Sequence, residues 1–182
     1  VIHLGTDHPP LGGLGYALCA AETYLQCQEM DRMPDHIVLG SGSGLTHSGF
    51  LVGARSIGWD VPVHGICVRR DAGLQVPRIV QRAMEVDALL GETAKMSPGD
   101  VLVDDTTLAP GYGRMNKEVM EAIQMAAQME ALLLDPVYTG RAMAGLISLV
   151  RRGVIEKGQS VMFIHTGGLP GIFAYEKDLT TD

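Results

Sequence analysis

The stretch that decides the fold is HIVLGSGSGLTHSG, residues 36–49. It joins an apolar run, His36–Leu39, to a Gly/Ser-rich turn and then to a helical pattern over Thr46–Ile57. An apolar run without period-2 alternation is typical of a strand that is buried on both faces of a sheet. A strand that passes through a glycine turn directly into a helix is a building unit of α/β domains.

Apolar runs and helical patterns continue to alternate on both sides of this stretch. The other predicted strands are Val1–Leu4, Val63–Val68, Val101–Val103, Leu132–Leu134 and Val161–His165. The other predicted helices are Gly15–Met30, Pro77–Leu90, Asn116–Met129 and Gly140–Arg151. This order predicts an α/β fold: an open, twisted, mainly parallel sheet with helices on both faces.

Composition narrows the class of protein. The chain has 182 residues, 46% hydrophobic and 19% charged, which suits a packed globular core. No stretch is both as long and as continuously apolar as the roughly 20 residues of a membrane helix, so no membrane partner is expected. The net charge is −7, and basic residues are paired only at Arg69-Arg70 and Arg151-Arg152. That distribution argues against a nucleic-acid partner.

The cysteines and histidines show no metal-binding pattern. Cys19, Cys27 and Cys67 lie among apolar residues and are odd in number, so they are predicted to be buried, reduced thiols. Reduced thiols indicate a cytoplasmic protein. The histidines do not combine with carboxylates at ligand spacing, and no metal is expected.

The Gly/Ser-rich turn after the predicted strand His36–Leu39 is a candidate phosphate site. Gly42 and Gly44 free the backbone to turn its N–H groups inward, and the following helix N-terminus adds partial positive charge. Ser43 and Thr46 add hydroxyl donors, and Leu45 stands between them and the helix. No lysine follows the glycines, so this is not a Walker loop. The alternative is a plain turn in which Ser43 or Thr46 only caps the helix.

Three more segments could carry chemistry at the ends of strands. Tyr112 lies between glycines in APGYGRMN, residues 109–116, where it either faces a pocket or packs on its neighbours. Tyr138 and Thr139 lie in LDPVYTGR, residues 134–141, at the carboxyl end of a predicted strand, where ligands of open α/β sheets bind. Thr139 could instead be a helix N-cap.

The last of these segments is HTGGLPG, residues 165–171, which ends the final predicted strand in a glycine turn. Its His165 could contact a ring or an anion, or could be satisfied by the backbone. Neither a Gly-x-Ser-x-Gly elbow nor a cysteine nucleophile with a partner histidine is present in the sequence.

In order and spacing, these segments resemble the pyridoxal-phosphate enzymes of the D-cysteine desulfhydrase and 1-aminocyclopropane-1-carboxylate deaminase family. The motifs that carry the resemblance are GGLGY (12–16), GSGLTHSG (42–49), PGYG (110–113), LDPVYTG (134–140), AMAGLI (142–147) and FIHTGG (163–168). The resemblance covers nearly the whole chain. It implies the tryptophan-synthase-β-like fold and pyridoxal 5'-phosphate as cofactor.

The resemblance also implies roles for individual residues. Thr139 would lie at the pyridine nitrogen of the cofactor. Tyr112 and Tyr138 would be the catalytic residues, flanking the ring and the substrate, with one of them moving protons. Gly167 and Gly168 would let the backbone approach the cofactor closely. The cofactor would supply the electron sink, and the protein would supply orientation and electrostatics.

Two positions depart from the family pattern. The resemblance assigns the cofactor phosphate to residues 42–46, yet Leu45 stands where related loops have a second glycine. A side chain there is expected to alter the loop rather than to abolish binding. In the Tyr-Gly loop, Arg114-Met115 replaces a pattern that usually ends in proline. The arginine could meet a substrate carboxylate or sulfonate, or face solvent.

The lysine that binds the cofactor in this family lies in an Asn-Lys motif. The four lysines of this chain, Lys95, Lys117, Lys157 and Lys177, lack that context. The resemblance therefore implies that residues 1–182 are the carboxyl-terminal half of a longer enzyme, mostly its large cofactor-binding domain. The Schiff-base lysine would belong to the upstream half.

The residue at position 139 suggests the reaction. The deaminase branch has an acid there, which would keep the pyridine nitrogen protonated, whereas a threonine hydroxyl makes a weaker electron sink. The expectation is α,β-elimination from D-cysteine or a similar β-substituted amino acid, giving sulfide, pyruvate and ammonia. Alternatives are 1-aminocyclopropane-1-carboxylate deaminase, L-cysteate sulfo-lyase, and a non-catalytic fragment or phosphate-binding partner protein. The family implies a homodimer.

Overall fold

The computed structural model describes residues 8–180, so the predicted strand Val1–Leu4 lies outside the described residues. The helices within this range are α1 (Leu11–Glu29), α2 (Leu45–Ser56), α3 (Ala72–Leu90), α4 (Lys117–Glu130), α5 (Thr139–Arg151) and α6 (Glu176–Thr180). The strands are β1 (His36–Ser41), β2 (Val63–Cys67), β3 (Leu102–Asp104) and β4 (Val161–Phe163). Short 3-10 helices occupy Pro98–Asp100 and Leu169–Tyr175.

The four strands form one sheet in the order β3-β2-β1-β4, and every pairing is parallel. This confirms the predicted α/β class and the open parallel sheet. The register sets Ile37 of β1 beside Val63 of β2, and Val38 beside Phe163 of β4. Since the strands are parallel, their carboxyl ends lie along a single edge of the sheet, which is where the chain places its Gly/Ser turn.

Both faces of the sheet are covered, which explains why its strands are apolar throughout. Ile37 and Leu39 pack on one side in a core with Phe50 of α2 and Ile79 of α3. Val38 points the opposite way, into a second core with residues of α5. Alternate residues of one strand therefore enter different cores. Among the described residues, no helix is both long enough and apolar enough to span a membrane.

Helices α1 and α2 approach so closely that two positions of α2 require glycine. A Cβ at Gly49 would lie 2.3 Å from the carbonyl oxygen of Gly13, and one at Gly53 would lie 2.4 Å from that of Ala17. The helix α1 begins at Leu11 rather than at the predicted Gly15, so the glycines of its first turns belong to this contact. The contact fixes α2, and with it the turn that precedes α2.

The prediction of a strand over residues 132–134 is wrong. The chain leaves α4 through Ala131 at φ 54°, and the Leu132 N–H donates back to the Ala126 carbonyl at 3.1 Å. Leu134 is buried in a core with residues of α4 and α5. Burial against helices accounts for the apolar sequence, and none of the strand pairings among residues 8–180 includes this segment.

Helix α3 begins five residues before the predicted start at Pro77. The carboxylate of Asp71 caps it by accepting a hydrogen bond from the Leu74 N–H at 3.0 Å. Pro77 therefore lies inside the second turn, where its missing N–H removes one helical hydrogen bond. The side chains of Gln75 and Arg78, both on α3, lie beside the turn after β1.

Candidate active site at the carboxyl edge of the sheet

The turn between β1 and α2 is braced by side chains of its neighbours. The Arg70 guanidinium and the Gln75 amide donate to the Gly42 carbonyl at 3.1 and 3.2 Å. Arg78 Nε donates to the Ser43 carbonyl at 2.7 Å. These contacts occupy carbonyl groups of the turn, whereas the first N–H groups of α2 have no partner within the helix. The turn is therefore rigid and offers donors rather than acceptors.

The conformation of this turn depends on glycine at position 44. Gly44 is the N-cap of α2 at φ 102°, a backbone region that residues with a Cβ rarely adopt. Thr46 is the second residue of the helix and is half-buried. Leu45, the departure from the family pattern, is also half-buried, and its Cδ1 lies 3.5 Å from where a Cβ at Gly12 would stand. Its side chain thus reaches towards α1.

A buried polar pair lies beneath the turn. The hydroxyl of Ser41 lies 3.2 Å from His47 Nδ1 and accepts a hydrogen bond from the Gln75 amide at 2.9 Å. Burial lowers the pKa of His47 to about 4, so the imidazole is neutral near pH 7. His47 is packed so tightly on β2 that a Cβ at Gly65 would lie 2.2 Å from its Nδ1.

Tyr112 and Tyr138 meet at this edge of the sheet. Their hydroxyl groups are hydrogen-bonded, and their rings pack edge to face with centroids 6.0 Å apart. Tyr138 Cε1 lies 3.7 Å from where a Cβ at Gly42 would stand, so the phenols lie beside the glycine turn. The guanidinium carbon of Arg69 lies 5.7 Å from the centre of the Tyr112 ring.

The two phenols are partly open to solvent. The exposed fractions of Tyr112 and Tyr138 are 48% and 40%. The hydrogen bond with Tyr112, followed by partial burial, raises the pKa of Tyr138 to about 12. Tyr138 therefore stays protonated at neutral pH, and two hydrogen-bonded hydroxyls can accept a proton at one oxygen while releasing one from the other.

The loop that carries Tyr112 is held by a buried arginine that the sequence analysis did not single out. The side chain of Arg141, in the first turn of α5, is fully buried and donates to the carbonyls of Thr107 and Arg114. The Asn116 amide donates to the carbonyls of Thr107 and Ala109 at 3.1 and 2.6 Å. The sequence signal that could have identified Arg141 is a charged residue in the otherwise apolar start of a helix.

Asp135 orders the turn that carries Tyr138, and it too was missed as a site residue. Its buried carboxylate accepts hydrogen bonds from the N–H groups of Val137, Tyr138 and Thr139 at 2.8–2.9 Å. It also accepts the Thr139 hydroxyl proton at 2.7 Å. The sequence signal that could have identified Asp135 is an Asp-Pro pair just before a predicted helix.

The structure buries Thr139 rather than presenting it to solvent. Its side chain is 1% exposed, and its oxygen also accepts a hydrogen bond from the Asp135 N–H at 2.9 Å. The hydroxyl thus takes part in the turn at the start of α5, which begins at this residue with Tyr138 as N-cap. A contact between Thr139 and a pyridine nitrogen remains a prediction.

The glycine turn after β4 packs against the same carboxylate. Gly168 is at φ 91°, and a Cβ there would lie 2.6 Å from Asp135 Oδ1. Gly167, at φ 101°, has open space where its Cβ would be. The structure therefore brings the turn after β1, the two phenols, Thr139 and the turn after β4 to one edge of the sheet.

These residues fit a phosphorylated aromatic ligand. The N-terminus of α2 has N–H groups without partners inside the helix, of which the Leu45 N–H donates weakly to Ser43 Oγ at 3.5 Å, and its dipole favours a phosphate. Arg70 and Arg78 hold carbonyls of the same turn. A Cβ at Gly42 would lie 3.0 Å from Val68 Cγ2 and 3.7 Å from Tyr138 Cε1, so the glycine lets the turn pack closely beside the phenols. The four lysines are exposed and lie elsewhere, in or before α4, α6, β3 and β4.

Residues 2–167 match the model of one protein family, described as pyridoxal-phosphate dependent enzyme. The chain belongs to this family of pyridoxal-phosphate dependent enzymes. The match confirms the resemblance seen in the sequence, and it identifies the cofactor of the family as the phosphorylated aromatic group that the site fits.

Individual relatives agree with this assignment. The chain is 40% identical over 165 residues to the D-cysteine desulfhydrase of Salmonella typhi, covering 91% of the chain and 49% of that enzyme. The same figures hold for the D-cysteine desulfhydrase of Salmonella newport. A solved structure described as the ACC deaminase homologue shares 34% identity with a TM-score of 0.81, covering 93% of this chain and 50% of its own. The chain spans about half the length of the relatives it matches.

Proposed function

We propose that the protein is a pyridoxal-phosphate dependent lyase that catalyses α,β-elimination on D-cysteine or a similar β-substituted amino acid. The products from D-cysteine are sulfide, pyruvate and ammonia. The observation that supports this most directly is the hydrogen-bonded pair of Tyr112 and Tyr138 beside the glycine turn. The named relatives are D-cysteine desulfhydrases, which favours this substrate class.

The cofactor, when bound, supplies the electron sink that stabilises negative charge at the substrate Cα. Residues 42–46 would bind its phosphate through the N–H groups of the first turn of α2. Gly167 and Gly168 would allow close approach of the backbone to the cofactor. Arg141 and Asp135 hold the two tyrosine loops in place, so the phenols are oriented before a substrate arrives.

The tyrosine pair would handle protons at the substrate. Because the pKa of Tyr138 is raised to about 12, this phenol stays protonated at neutral pH and can donate to a departing thiolate or to the product carbon. Tyr112 would return a proton through the hydrogen bond between the two hydroxyls. The main base would be the cofactor-binding lysine, which we place in the part of the enzyme that precedes these residues.

The hydroxyl at position 139 favours elimination over cyclopropane ring opening. A carboxylate at the pyridine nitrogen would hold it protonated, whereas Thr139 carries no charge. The nearby carboxylate of Asp135 already accepts four hydrogen bonds from the turn. The proposed site therefore provides a moderate electron sink, which suits a substrate with a good leaving group on Cβ.

The test is a substrate panel with the full-length protein: D-cysteine, L-cysteine, cysteate and 1-aminocyclopropane-1-carboxylate. Sulfide and pyruvate should appear together from D-cysteine. Tyr138→Phe should lower kcat by about a hundredfold or more, the usual scale of general acid–base catalysis. Tyr24→Phe, which removes a phenol on α1, is the matched control. Ring opening without sulfide release from D-cysteine would refute the branch, and no product from any substrate would refute the lyase.

A cytoplasmic location, a homodimer and the assignment of residues 1–182 to the carboxyl-terminal half stay predictions. Gel filtration with light scattering of the full-length protein measures the oligomer directly. A monomer would contradict the homodimer that the family implies.

A further inference from the structure

Helix α3 and the segment before it hold the turn between β1 and α2 by two of its carbonyl groups. The Gln75 amide nitrogen donates to the Gly42 carbonyl at 3.2 Å, and Arg70, which follows β2, donates to the same carbonyl at 3.1 Å. Arg78 Nε donates to the Ser43 carbonyl at 2.7 Å. Two successive carbonyl groups of the turn are therefore directed towards α3 and the segment that precedes it.

The direction of these carbonyls also sets the direction of two N–H groups. In a trans peptide, the C=O of one residue and the N–H of the next lie in one plane and point in opposite directions. Both peptides of this turn are trans, so the N–H groups of Ser43 and Gly44 point away from α3. Among residues 8–180 neither N–H has a hydrogen-bond partner. A phosphate on that side of the turn would meet both of them beside the first N–H groups of α2.

The buried side chain of Gln75 makes all its hydrogen bonds through its nitrogen. The residue is fully buried, and the nitrogen also donates to the Ser41 hydroxyl at 2.9 Å. Its Oε1 is buried without a partner among the described residues. An unpaired buried oxygen is costly, so this glutamine is explained by the two donors that it supplies. Ser41 accepts from Gln75 and keeps its own proton for His47 Nδ1 at 3.2 Å, which holds the amide in place.

We propose that Gln75 and Arg78 are positioning residues for the cofactor phosphate: by holding two carbonyls of the turn, they aim the next two N–H groups at it. The inference rests on the proposed function, which assigns the phosphate to residues 42–46. A hydrogen bond accepted by a carbonyl also polarises its peptide, which makes the N–H of that peptide a stronger donor. Affinity for the phosphate is then set by α3 as well as by the turn itself.

Gln75 allows the effect of orientation to be separated from the effect of charge. The positive charge of Arg78 acts on a phosphate whatever the direction of the peptides, and Glu85 on the same helix partly offsets it. Gln75 is neutral, and Gln75→Met keeps nearly the same side-chain length while it removes the N–H donors. A loss of phosphate affinity in this variant therefore comes from the turn and not from a lost charge.

The experiment titrates the apo form of the full-length protein with pyridoxal phosphate and with pyridoxal, which lacks the phosphate. Gln75→Met should raise the Kd of pyridoxal phosphate at least about tenfold, the loss expected for one hydrogen bond to a charged group. The Kd of pyridoxal should change by less than about threefold. The matched control is Gln81→Met on the same helix, which removes an exposed amide that donates to Glu85 and should change neither Kd.

Equal weakening of both ligands by Gln75→Met would show that the residue only supports the fold, and unchanged Kd values would show that the turn keeps its shape without it. Either result overturns the proposal. Arg78→Lys decides the matter if Gln75→Met does not fold, because lysine keeps the positive charge but has a methylene where Nε donates. This variant should raise the Kd of pyridoxal phosphate at least about threefold and spare pyridoxal. A wild-type Kd for pyridoxal phosphate would mean that only the charge matters, which overturns the positioning role.

Binding separates this proposal from the proposed function. If the full-length protein converts no β-substituted amino acid, the proposed reaction fails, whereas the two Kd values still measure the contact with the phosphate. A preference for pyridoxal phosphate over pyridoxal that Gln75→Met removes supports the positioning role in that case as well. Equal Kd values for the two ligands in the wild-type protein overturn it.

Discussion

Asp135→Asn tests whether one buried carboxylate organises the tyrosine side of the site. The wild-type carboxylate is 2% exposed and accepts hydrogen bonds from three backbone N–H groups and the Thr139 hydroxyl. An amide keeps one acceptor oxygen and directs an NH2 group at the donors on the other side. At least two of the four hydrogen bonds are therefore lost, with two donors left facing another donor.

The expected cost follows from the number of bonds lost. A hydrogen bond to a charged group contributes about 1.5–3 kcal/mol, and the negative charge at the N-terminus of α5 adds about 0.3–1 kcal/mol. Because such terms are not additive, we expect the free energy of unfolding to fall by about 3 kcal/mol rather than by their sum. The damage is expected around Tyr138, whose N–H is one of the donors.

The assay is urea denaturation of the full-length protein followed by circular dichroism, with the midpoint and slope fitted together. Asp60→Asn is the matched control, since it neutralises an exposed carboxylate after α2 and should change stability by less than about 0.5 kcal/mol. If Asp135→Asn is as stable as Asp60→Asn, the carboxylate does not organise this turn. That result would refute the account of how Tyr138 is positioned.

Three further perturbations follow from the site. Tyr112→Phe removes the hydrogen bond that contributes most to the raised pKa of Tyr138, so ultraviolet titration should show the Tyr138 midpoint falling from about 12 towards 10; an unchanged midpoint contradicts the pairing. His47 has a folded pKa of about 4, below its unfolded value of 6.5, so its contribution is complete above pH 6.5 and is lost as pH falls towards 4. Relative to His47→Gln, the wild-type protein should lose about 3 kcal/mol between pH 6.5 and 4 in urea titrations, and parallel pH profiles would contradict its burial as a neutral group. Gly44→Ala should destabilise by about 1–2 kcal/mol and weaken cofactor binding, because alanine disfavours φ near 102°; unchanged denaturation and unchanged cofactor absorbance would contradict the assigned turn.

The sequence predicted the sheet well because its strands are buried on both faces. The runs that start at His36, Val63 and Val161 are strands in the structure, since residues such as Ile37 and Val38 enter opposite cores. The same rule misplaced a strand at residues 132–134. A segment that packs on helices without strand pairing is as apolar as a strand, and periodicity cannot separate the two over three residues.

Only part of the candidate site could be predicted from the sequence. Tyr112, Tyr138 and the glycine turns stood out because strand ends, glycines and phenols are local signals. Asp135 and Arg141 did not, because their importance lies in which backbone groups they reach after folding. The hydroxyl of Thr139 was predicted to face the cofactor. In the structure it donates a hydrogen bond to Asp135, which no local sequence pattern predicts.

The same distinction applies to the arginines near this edge of the sheet. The pair Arg69-Arg70 looked like an isolated basic dipeptide in the sequence. Folding directs Arg70 to the Gly42 carbonyl and Arg69 to the Tyr112 ring, and it brings Arg78 and Arg82 alongside from α3. Positive charge at the site thus depends on contacts between elements that are distant along the chain.

The most direct test of the central claim is a crystal structure of the full-length protein with pyridoxal phosphate bound. In that structure the phosphate is expected to accept hydrogen bonds from N–H groups of residues 43–46 at about 3 Å, with the cofactor ring beside Tyr138. A phosphate bound away from the N-terminus of α2, or a ring out of reach of both Tyr112 and Tyr138, would contradict it.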